Sequence, residues 1–202
     1  MRIALCGEAR SGKDTVASLV KNDFCAISFG YFMKKGYFRD NPHMVDKPKD
    51  REDMINWSQP KVEVYNRIWI DPLEAYIEGL ETGNLKETNW IITDLRQPHE
   101  EQWCRDNGFH IVRVHSCTAN LLKRRRELGE KLSENDLPYW VNADYHIYND
   151  GSLEDLKRNV NKLLKVLTTH DKIKTVTEEV NTYGHTKEDL NSLSKLMHCG
   201  DE

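Results

Sequence analysis

A glycine-rich segment near the start of the chain contains residue types that bind phosphate groups. It reads Gly7-Glu8-Ala9-Arg10-Ser11-Gly12-Lys13-Asp14-Thr15, with four residues between the two glycines and a lysine directly after the second. Glycines let the backbone turn its amides toward an anion, and a lysine supplies a charge that can bridge the β- and γ-phosphates during transfer. The spacing predicts a phosphate-binding loop formed by Gly7, Arg10, Ser11, Gly12, Lys13, Asp14 and Thr15.

Two side chains with oxygen atoms follow the lysine of this loop. A magnesium ion bound at such a loop usually needs an oxygen ligand at this place. Asp14 stands where serine or threonine is expected, and Thr15 comes next. Either the Asp14 carboxylate or the Thr15 hydroxyl can therefore serve as a metal ligand.

A second group of polar residues follows the apolar run Trp90-Ile91-Ile92-Thr93. Asp94 stands at the carboxyl end of this predicted strand, where a parallel sheet presents groups to a ligand. There it could orient magnesium, directly or through water, and Arg96 could bind a phosphate with two hydrogen bonds. The alternative is that Asp94 only caps the following helix and that Arg96 is a solvated charge.

A basic run, Lys123-Arg124-Arg125-Arg126, follows the fourth predicted strand. Phosphoryl transfer needs cations around the transferred oxygens, and arginines of a mobile lid commonly supply them. Because successive helical residues point about 100° apart, only one or two of these side chains can face a site, and we favour Arg124 or Arg125. An exposed basic face that pairs with Glu127 and Glu130 is an equally supported alternative. The predicted catalytic residues are Lys13, Asp94, Arg96 and Arg124.

Five apolar runs predict the strands that must position these residues, at 3–6, 25–29, 90–93, 109–114 and 145–148. Helical patterns lie between them, at 12–23, 98–106 and 121–131, and across 47–81 with interruptions at Pro60 and Pro72. A last helix should follow a cap at Ser152, with Asp155 as its acidic partner. Strands that alternate with helices predict a doubly wound α/β fold with a five-stranded parallel sheet.

The C-terminal part of the chain differs in composition from the rest. Residues 168–202 are highly charged and lack aromatic residues apart from Tyr183. We interpret them as an appendage to a domain formed by residues 1–167. Within the appendage, residues 187–197 could form one amphipathic helix.

The overall composition excludes several classes of protein. The 202 residues include 29 basic and 33 acidic side chains, a net charge of −4 that argues against a nucleic-acid-binding or lipid-binding surface. Mean hydropathy is −0.73, and no apolar stretch is long enough for a membrane span or a signal peptide. The cysteines and histidines show no metal-binding spacing. We therefore expect a cytoplasmic protein with reduced cysteines and no membrane or nucleic-acid partner. The sequence leaves a homodimer open.

Three blocks of the sequence resemble the bacteriophage deoxynucleoside monophosphate kinases, which belong to the phosphate-loop kinase superfamily. The blocks are the Gly-Lys-Asp-Thr string of the loop, residues 94–100 (Asp-Leu-Arg-Gln-Pro-His-Glu) together with 108–114, and residues 144–153. They follow one another in the family's order. The resemblance implies the phosphate-loop kinase fold, with residues 31–85 as a helical acceptor-binding region, and the host cytoplasm as the location of a viral protein.

The resemblance also implies an activity and further site residues. The activity is ATP-dependent transfer of a phosphoryl group to a (deoxy)nucleoside monophosphate, with Mg²⁺ as cofactor and the diphosphate as product. The loop would hold the ATP phosphates, and Asp94 and Arg96 would lie beside the transferred group. The adenine side would consist of Asn149, Gly151 and Ser152, and the acceptor side of Arg51, Trp57, Gln59 and Arg67.

Two other functions stay open at this point. Animal-type phosphomevalonate kinases have a similar Gly-Lys-Asp loop, so the acceptor could be another small phosphorylated metabolite. The aspartate at position 14 and the charged tail are also compatible with a non-catalytic nucleotide-binding module whose tail engages a partner. The sequence does not specify the base or the sugar of the acceptor.

Overall fold

Strands and helices alternate along the chain. A computed structural model describes residues 1–47, 50–83, 88–129 and 141–182, with side chains up to residue 174. The strands are β1 (Arg2–Cys6), β2 (Phe24–Ile27), β3 (Asn89–Ile92), β4 (His110–His115) and β5 (Tyr145–Tyr148). The helices are α1 (Lys13–Leu19), α2 (Phe29–Asp40), α3 (Arg51–Val64), α4 (Ile70–Glu81), α5 (Pro98–Asp106), α6 (Thr118–Glu127) and α7 (Leu153–Thr182). A short 3₁₀ helix occupies Pro42–Met44.

The five strands form one parallel sheet in the order β2-β3-β1-β4-β5. The central strand is β1, where Ile3 pairs with Ile91 of β3 on one side and with His110 of β4 on the other. The neighbours of β1 are β3 and β4, and separate crossover connections lead to them. The carboxyl end of β1 therefore lies where ligands bind in open α/β sheets. The predicted doubly wound, five-stranded α/β fold is confirmed.

Burial on both faces explains why the strands are almost entirely apolar. The run Ile3–Cys6 is at most 2% exposed. Because successive strand residues point to opposite faces, Ala4 and Cys6 share one face, and there they pack with Leu73 of α4 and Trp103 of α5. Full burial of a side chain of the size of Leu73 stabilises the fold by about 1.5–3 kcal/mol. Buried residues outside that cluster include four on α1, α6 and α7, namely Val16, Leu121, Leu156 and Val160.

The predicted helical region contains α2, α3 and α4, but one of its predicted breaks is wrong. Helix α3 continues through Pro60 to Val64, and the chain leaves the helix at residues 65–69 instead. A proline removes one helical hydrogen bond, and packing of the buried Met54 and Ser58 on the same helix compensates for that loss. Pro72 lies in the first turn of α4, where its missing N–H would have no helical partner anyway.

Two other predicted boundaries also differ from the structure. The second strand ends at Ile27 rather than at residue 29, because the Ser28 hydroxyl accepts the Tyr31 N–H at 3.1 Å and starts α2. Helix α1 ends at Leu19 rather than at residue 23. The predicted 98–106 helix is confirmed as α5, and Gly108 follows it with a φ of +71°.

The chain divides into two compact units, Met1–Leu163 and Leu164–Glu202. The first contains the sheet and α1 to α6. The second begins within α7, which continues past residue 167 to Thr182. An appendage at 168–202 stays a prediction, and its expected helix at 187–197 lies outside the described residues. Among the described helices, none has the length and apolar character needed to cross a bilayer.

Candidate active site

The predicted phosphate loop connects the end of β1 to the start of α1. Three of its residues have positive backbone φ angles: Gly7 at 133°, Arg10 at 70° and Gly12 at 107°. A Cβ atom on Gly7 would lie 2.4 Å from the carbonyl oxygen of Val114, so glycine is required there for space as well as for its angle. The loop leads directly into a helix N-terminus, where backbone amides and the helix dipole favour an anion.

Lys13 is nearly buried against this loop. Its side chain donates hydrogen bonds to the carbonyl oxygens of Gly7 at 2.9 Å and Glu8 at 2.8 Å, and only 8% of the residue is exposed. Burial, followed by the positive charge of Arg96, lowers the pKa of Lys13 to about 8, against the opposing charges of Asp14 and others. Two cations close enough to destabilise each other form a site that an anionic ligand stabilises.

Asp94 follows β3, and its carboxylate caps α2. Its two oxygens accept the N–H groups of Phe29 at 3.0 Å and Gly30 at 2.8 Å. Burial raises the pKa of Asp94, although these two hydrogen bonds and the charge of Arg96 oppose the rise. The cap thus lies on a helix more than sixty residues earlier in the chain and not on the following helix. Each oxygen keeps a second lone pair for a further donor.

The following helix, α5, is capped by Glu100 instead. Its Oε2 accepts the N–H groups of Arg96 and Gln97, both at 2.9 Å, and the residue is 7% exposed. Burial, followed by the negative charge of Asp94, raises the pKa of Glu100 to about 8. This carboxyl group fixes the backbone at Arg96 and thereby the start of the Arg96 side chain.

A cavity of about 480 Å³ opens beside the phosphate loop, a size suited to a nucleotide. Apolar side chains of Leu128, Leu153 and Leu156 form part of its wall, next to Glu127. Asp94, Arg96 and Ser152 do not line it. Eight predicted site residues do: Arg10, Gly12, Lys13, Asp14, Thr15, Arg124, Asn149 and Gly151.

The side chains of Asp14 and Thr15 are compatible with a magnesium ion. Both residues are exposed, and both line the cavity. Mg²⁺ prefers hard oxygen ligands and binds through one or two protein groups, waters and substrate phosphates. Within the described residues no group of three or more His, Cys, Asp or Glu could hold a metal, so the ion would depend on phosphate oxygens as well. The hydroxyl of Ser11 adds a buried oxygen in the same loop that has no hydrogen-bond partner.

The predicted lid and adenine-side residues approach the loop from α6 and the end of β5. Nη1 of Arg124 donates to the Arg10 carbonyl oxygen at 3.0 Å, and Nδ2 of Asn149 donates to the Ser11 carbonyl oxygen at 2.8 Å. Ser152 instead caps α7, because its hydroxyl donates to Asp155 at 2.7 Å and accepts that residue's N–H at 3.2 Å.

The four predicted acceptor residues lie away from this cavity. Arg51, Trp57 and Gln59 are half-buried on α3, and Arg67 lies between α3 and α4. The Trp57 ring stacks on Trp69, with 5.7 Å between the ring centroids. The Lys61 ammonium lies 4.2 Å from the centroid of the Trp57 ring.

Arg67 is bound to carboxylates of the next helix. Its Nε donates to Asp71 at 2.7 Å and its Nη2 donates to Glu74 at 2.5 Å. Glu74 also accepts the Trp103 indole N–H at 2.8 Å. These contacts connect the turn between α3 and α4 to α5.

Sequence reasoning missed Lys34 on α2. Its charge acts on Asp94 and opposes the rise in that carboxyl's pKa. Lys34 follows Gly30 by one helical turn, so the cap made by Asp94 brings this lysine to the carboxyl end of β3. No local motif marks Lys34, because its position depends on a contact between distant parts of the chain.

Part of the chain matches known proteins in sequence. Residues 61–160 match the model of the deoxynucleotide monophosphate kinase family. The deoxynucleotide monophosphate kinase of Escherichia phage RB69 is 35% identical over 77 residues, which amount to 38% of this chain and 28% of the phage protein. The matched part therefore spans about a quarter of the length of that relative.

Solved structures share the fold at low sequence identity. TT1252 from Thermus thermophilus gives a TM-score of 0.51 at 19% identity, covering 83% of this chain and 97% of that one. Shikimate kinase from Bacteroides thetaiotaomicron gives 0.51 at 14% identity, covering 83% and 98%. Residues 61–160 are thus similar to the deoxynucleotide monophosphate kinase family, and the chain shares its fold with the solved shikimate kinase.

Proposed function

We propose that the protein is a kinase that transfers the γ-phosphoryl group of ATP to a (deoxy)nucleoside monophosphate and releases the diphosphate. The observation that carries the proposal is the phosphate loop, in which the nearly buried Lys13 lies at a helix N-terminus beside a cavity of about 480 Å³. The match of residues 61–160 to the deoxynucleotide monophosphate kinase family supports the acceptor class. The phage relative supports action in the host cytoplasm.

The proposed mechanism depends on positioning and charge neutralisation. The acceptor is already an anionic phosphate oxygen, so no strong general base is needed. Lys13 would hold the β- and γ-phosphates, and Arg96, whose charge already acts on Lys13, would bind the transferred group. Asp14 and Thr15 would hold Mg²⁺, which supplies charge neutralisation at the phosphate oxygens when bound. Asp94 would act on that ion only through its remaining lone pairs.

The acceptor side is proposed to lie in the helical region formed by α2, α3 and α4. Arg51, Trp57, Gln59 and Arg67 remain the proposed contacts for the acceptor. Because Arg67 already pairs with Asp71 and Glu74, acceptor binding would have to compete for it or use its remaining donors. Lys34 of α2 adds a cation whose charge acts on Asp94.

A coupled assay of ADP release tests the proposal directly. Mg²⁺-ATP would be supplied with each ribo- and deoxynucleoside monophosphate in turn, and with a set of other phosphorylated metabolites. Fast release with one or a few nucleoside monophosphates supports the proposal and identifies the base and the sugar. Release only with another phosphorylated metabolite would contradict the acceptor class. ATP binding without release for any acceptor would favour a non-catalytic module.

A further inference from the structure

Two carbonyl groups of the phosphate loop are held from outside by side chains of distant elements. The Asn149 carboxamide, at the end of β5, donates to the Ser11 carbonyl oxygen at 2.8 Å. The Arg124 guanidinium, on α6, donates to the Arg10 carbonyl oxygen at 3.0 Å. These contacts fix two consecutive peptide groups of the loop without using its amides.

The two side chains also belong to one hydrogen-bonded unit. Nη2 of Arg124 donates to the Asn149 carbonyl oxygen at 3.1 Å, and Ser116 donates to the same oxygen at 3.0 Å. The Asn149 N–H in turn donates to the His115 carbonyl oxygen at 2.9 Å. The unit is therefore anchored at the ends of β4 and β5.

The direction of the Ser11 carbonyl determines where the next amide points. In a trans peptide group the C=O and the following N–H point in opposite directions. A Ser11 carbonyl that points at Asn149 therefore turns the Gly12 N–H away from Asn149. That N–H belongs to the first amides of α1, which have no partner within the helix and are available to an anion.

The close approach of Asn149 also explains why residue 12 is a glycine. A Cβ atom on Gly12 would lie 2.2 Å from the Asn149 Nδ2, a distance that excludes any side chain. Asn149 is 7% exposed, so its carboxamide is packed at the loop rather than presented to solvent. One N–H of its Nδ2 is already engaged by the Ser11 carbonyl oxygen, so the carboxamide contacts the loop directly.

We propose that Asn149 is a positioning residue that sets the Ser11–Gly12 peptide so that the Gly12 N–H faces the bound phosphates, with Arg124 as its second support at Arg10. The inference rests on the proposed phosphate binding by the loop. It assigns Asn149 to the phosphates through the backbone, and not to the base.

Binding of two simple probes separates these roles. Inorganic tripolyphosphate tests the loop alone, and adenosine tests the base pocket alone, each by calorimetry at fixed pH. Asn149→Ala should weaken tripolyphosphate binding by about tenfold to a hundredfold, the effect of losing a buried hydrogen bond, and change adenosine binding less than about twofold. Unchanged tripolyphosphate binding, or a selective loss of adenosine binding, would overturn the inference. A wild-type protein that does not bind tripolyphosphate would refute the phosphate site itself.

The matched control is Asn159→Ala. Asn159 on α7 donates from its carboxamide to a backbone carbonyl oxygen, that of Tyr148 at 3.1 Å, but does not contact the loop. This variant should bind tripolyphosphate like the wild type. If it loses as much affinity as Asn149→Ala, the effect is a general one on the end of β5 and the inference fails.

A pH series on Asn149→Asp adds a readout that a purely structural role would not move. An ionised carboxylate repels the Ser11 carbonyl oxygen, whereas a protonated carboxyl can donate to it. Tripolyphosphate affinity relative to the wild type should therefore recover as the pH falls, while that of Asn149→Ala should stay constant. Identical, pH-independent losses in both variants would contradict the inference. If neither variant folds, Arg124→Gln provides the test. Arg124 is half-buried, and this variant should bind tripolyphosphate more weakly. Wild-type affinity in Arg124→Gln would overturn the inference.

Discussion

At the scale of single residues, Lys13 combines a functional charge with a cost in stability. Its pKa of about 8, against an ordinary 10.5, means that keeping it charged in the folded protein lowers the free energy of unfolding by about 3 kcal/mol. We expect Lys13→Met to reduce turnover by roughly a hundredfold to a thousandfold, the scale seen when one preorganised donor is removed. The same variant should have a free energy of unfolding at pH 7 that is about 1–3 kcal/mol higher than that of the wild type. The gain is smaller than the full cost of burying the charge because two hydrogen bonds are lost as well.

The pH dependence of that stability difference identifies its cause. Between about pH 8 and 10.5 the unfolded chain binds more protons at Lys13 than the folded protein does, so wild-type stability rises with pH across this window. The advantage of Lys13→Met should therefore shrink from pH 8 toward pH 10.5. Lys21→Met, at an exposed position after α1, is the control and should show no such change. A constant advantage for Lys13→Met would contradict the burial argument.

Two glycines predict opposite effects of the same substitution. Gly12→Ala places a methyl group 2.2 Å from Asn149 at a φ of +107°, so it should lower the free energy of unfolding by about 1–3 kcal/mol and abolish tripolyphosphate binding. Gly79 lies within α4, and an added Cβ there would have nothing within 4 Å. Gly79→Ala should therefore raise the free energy of unfolding by about 0.5–1 kcal/mol. Urea unfolding of both variants is the measurement. Equal effects would show that the loop tolerates a side chain.

At the scale of elements, the cap of α5 predicts a pH-dependent stability. Glu100 has a folded pKa of about 8 against an ordinary 4.5, so its contribution is fully present below about pH 4.5 and is lost as the pH rises to about 8. Glu100→Gln keeps an acceptor for the Arg96 and Gln97 amides without the charge. The free energy of unfolding of the variant should equal that of the wild type near pH 5. Above pH 8 it should be higher than that of the wild type by a few kcal/mol, at most about 5.

The control for this prediction is Glu154→Gln, which removes an exposed carboxylate from the first turn of another helix, α7. It should alter stability little over the same range. Denaturant unfolding of the three proteins from pH 5 to pH 9 is the measurement. A Glu100→Gln curve parallel to that of the wild type would mean that Glu100 is ionised at neutral pH in the folded protein.

The strands and the loop could be predicted from the sequence because their signals are local. A strand buried on both faces must be apolar, and the phosphate loop needs glycines and a lysine at fixed spacing. The continuation of α3 through Pro60 could not be predicted, because packing of the rest of α3 outweighs the cost of the helical hydrogen bond that proline removes. The cap of α2 by Asp94 could not be predicted either, since it joins residues far apart in the sequence. Lys34 was missed for the same reason.

At the scale of the whole molecule, the parallel sheet brings the separate parts of the site together. The loop follows β1, Asp94 follows β3, and Asn149 follows β5, so each stands at a carboxyl end of the sheet. Three chain segments that are distant in sequence are adjacent only because β3 and β4 flank β1 and β5 flanks β4. A common strand direction is therefore what makes the sequence motifs one site.

The residues of the proposed site all precede the charged C-terminal segment, and this predicts the outcome of a truncation. The cavity is lined by residues from Arg10 to Leu156, and a chain ending after Leu167 keeps that buried leucine as well. We expect the truncated protein to turn over ATP and its acceptor with a kcat/KM within about twofold of the full chain, a change below about 0.5 kcal/mol. Thermal unfolding of both proteins with and without ATP controls for loss of folding. A truncated protein that folds and binds ATP but has lost the turnover of the full chain would show that residues 168–202 take part in the reaction.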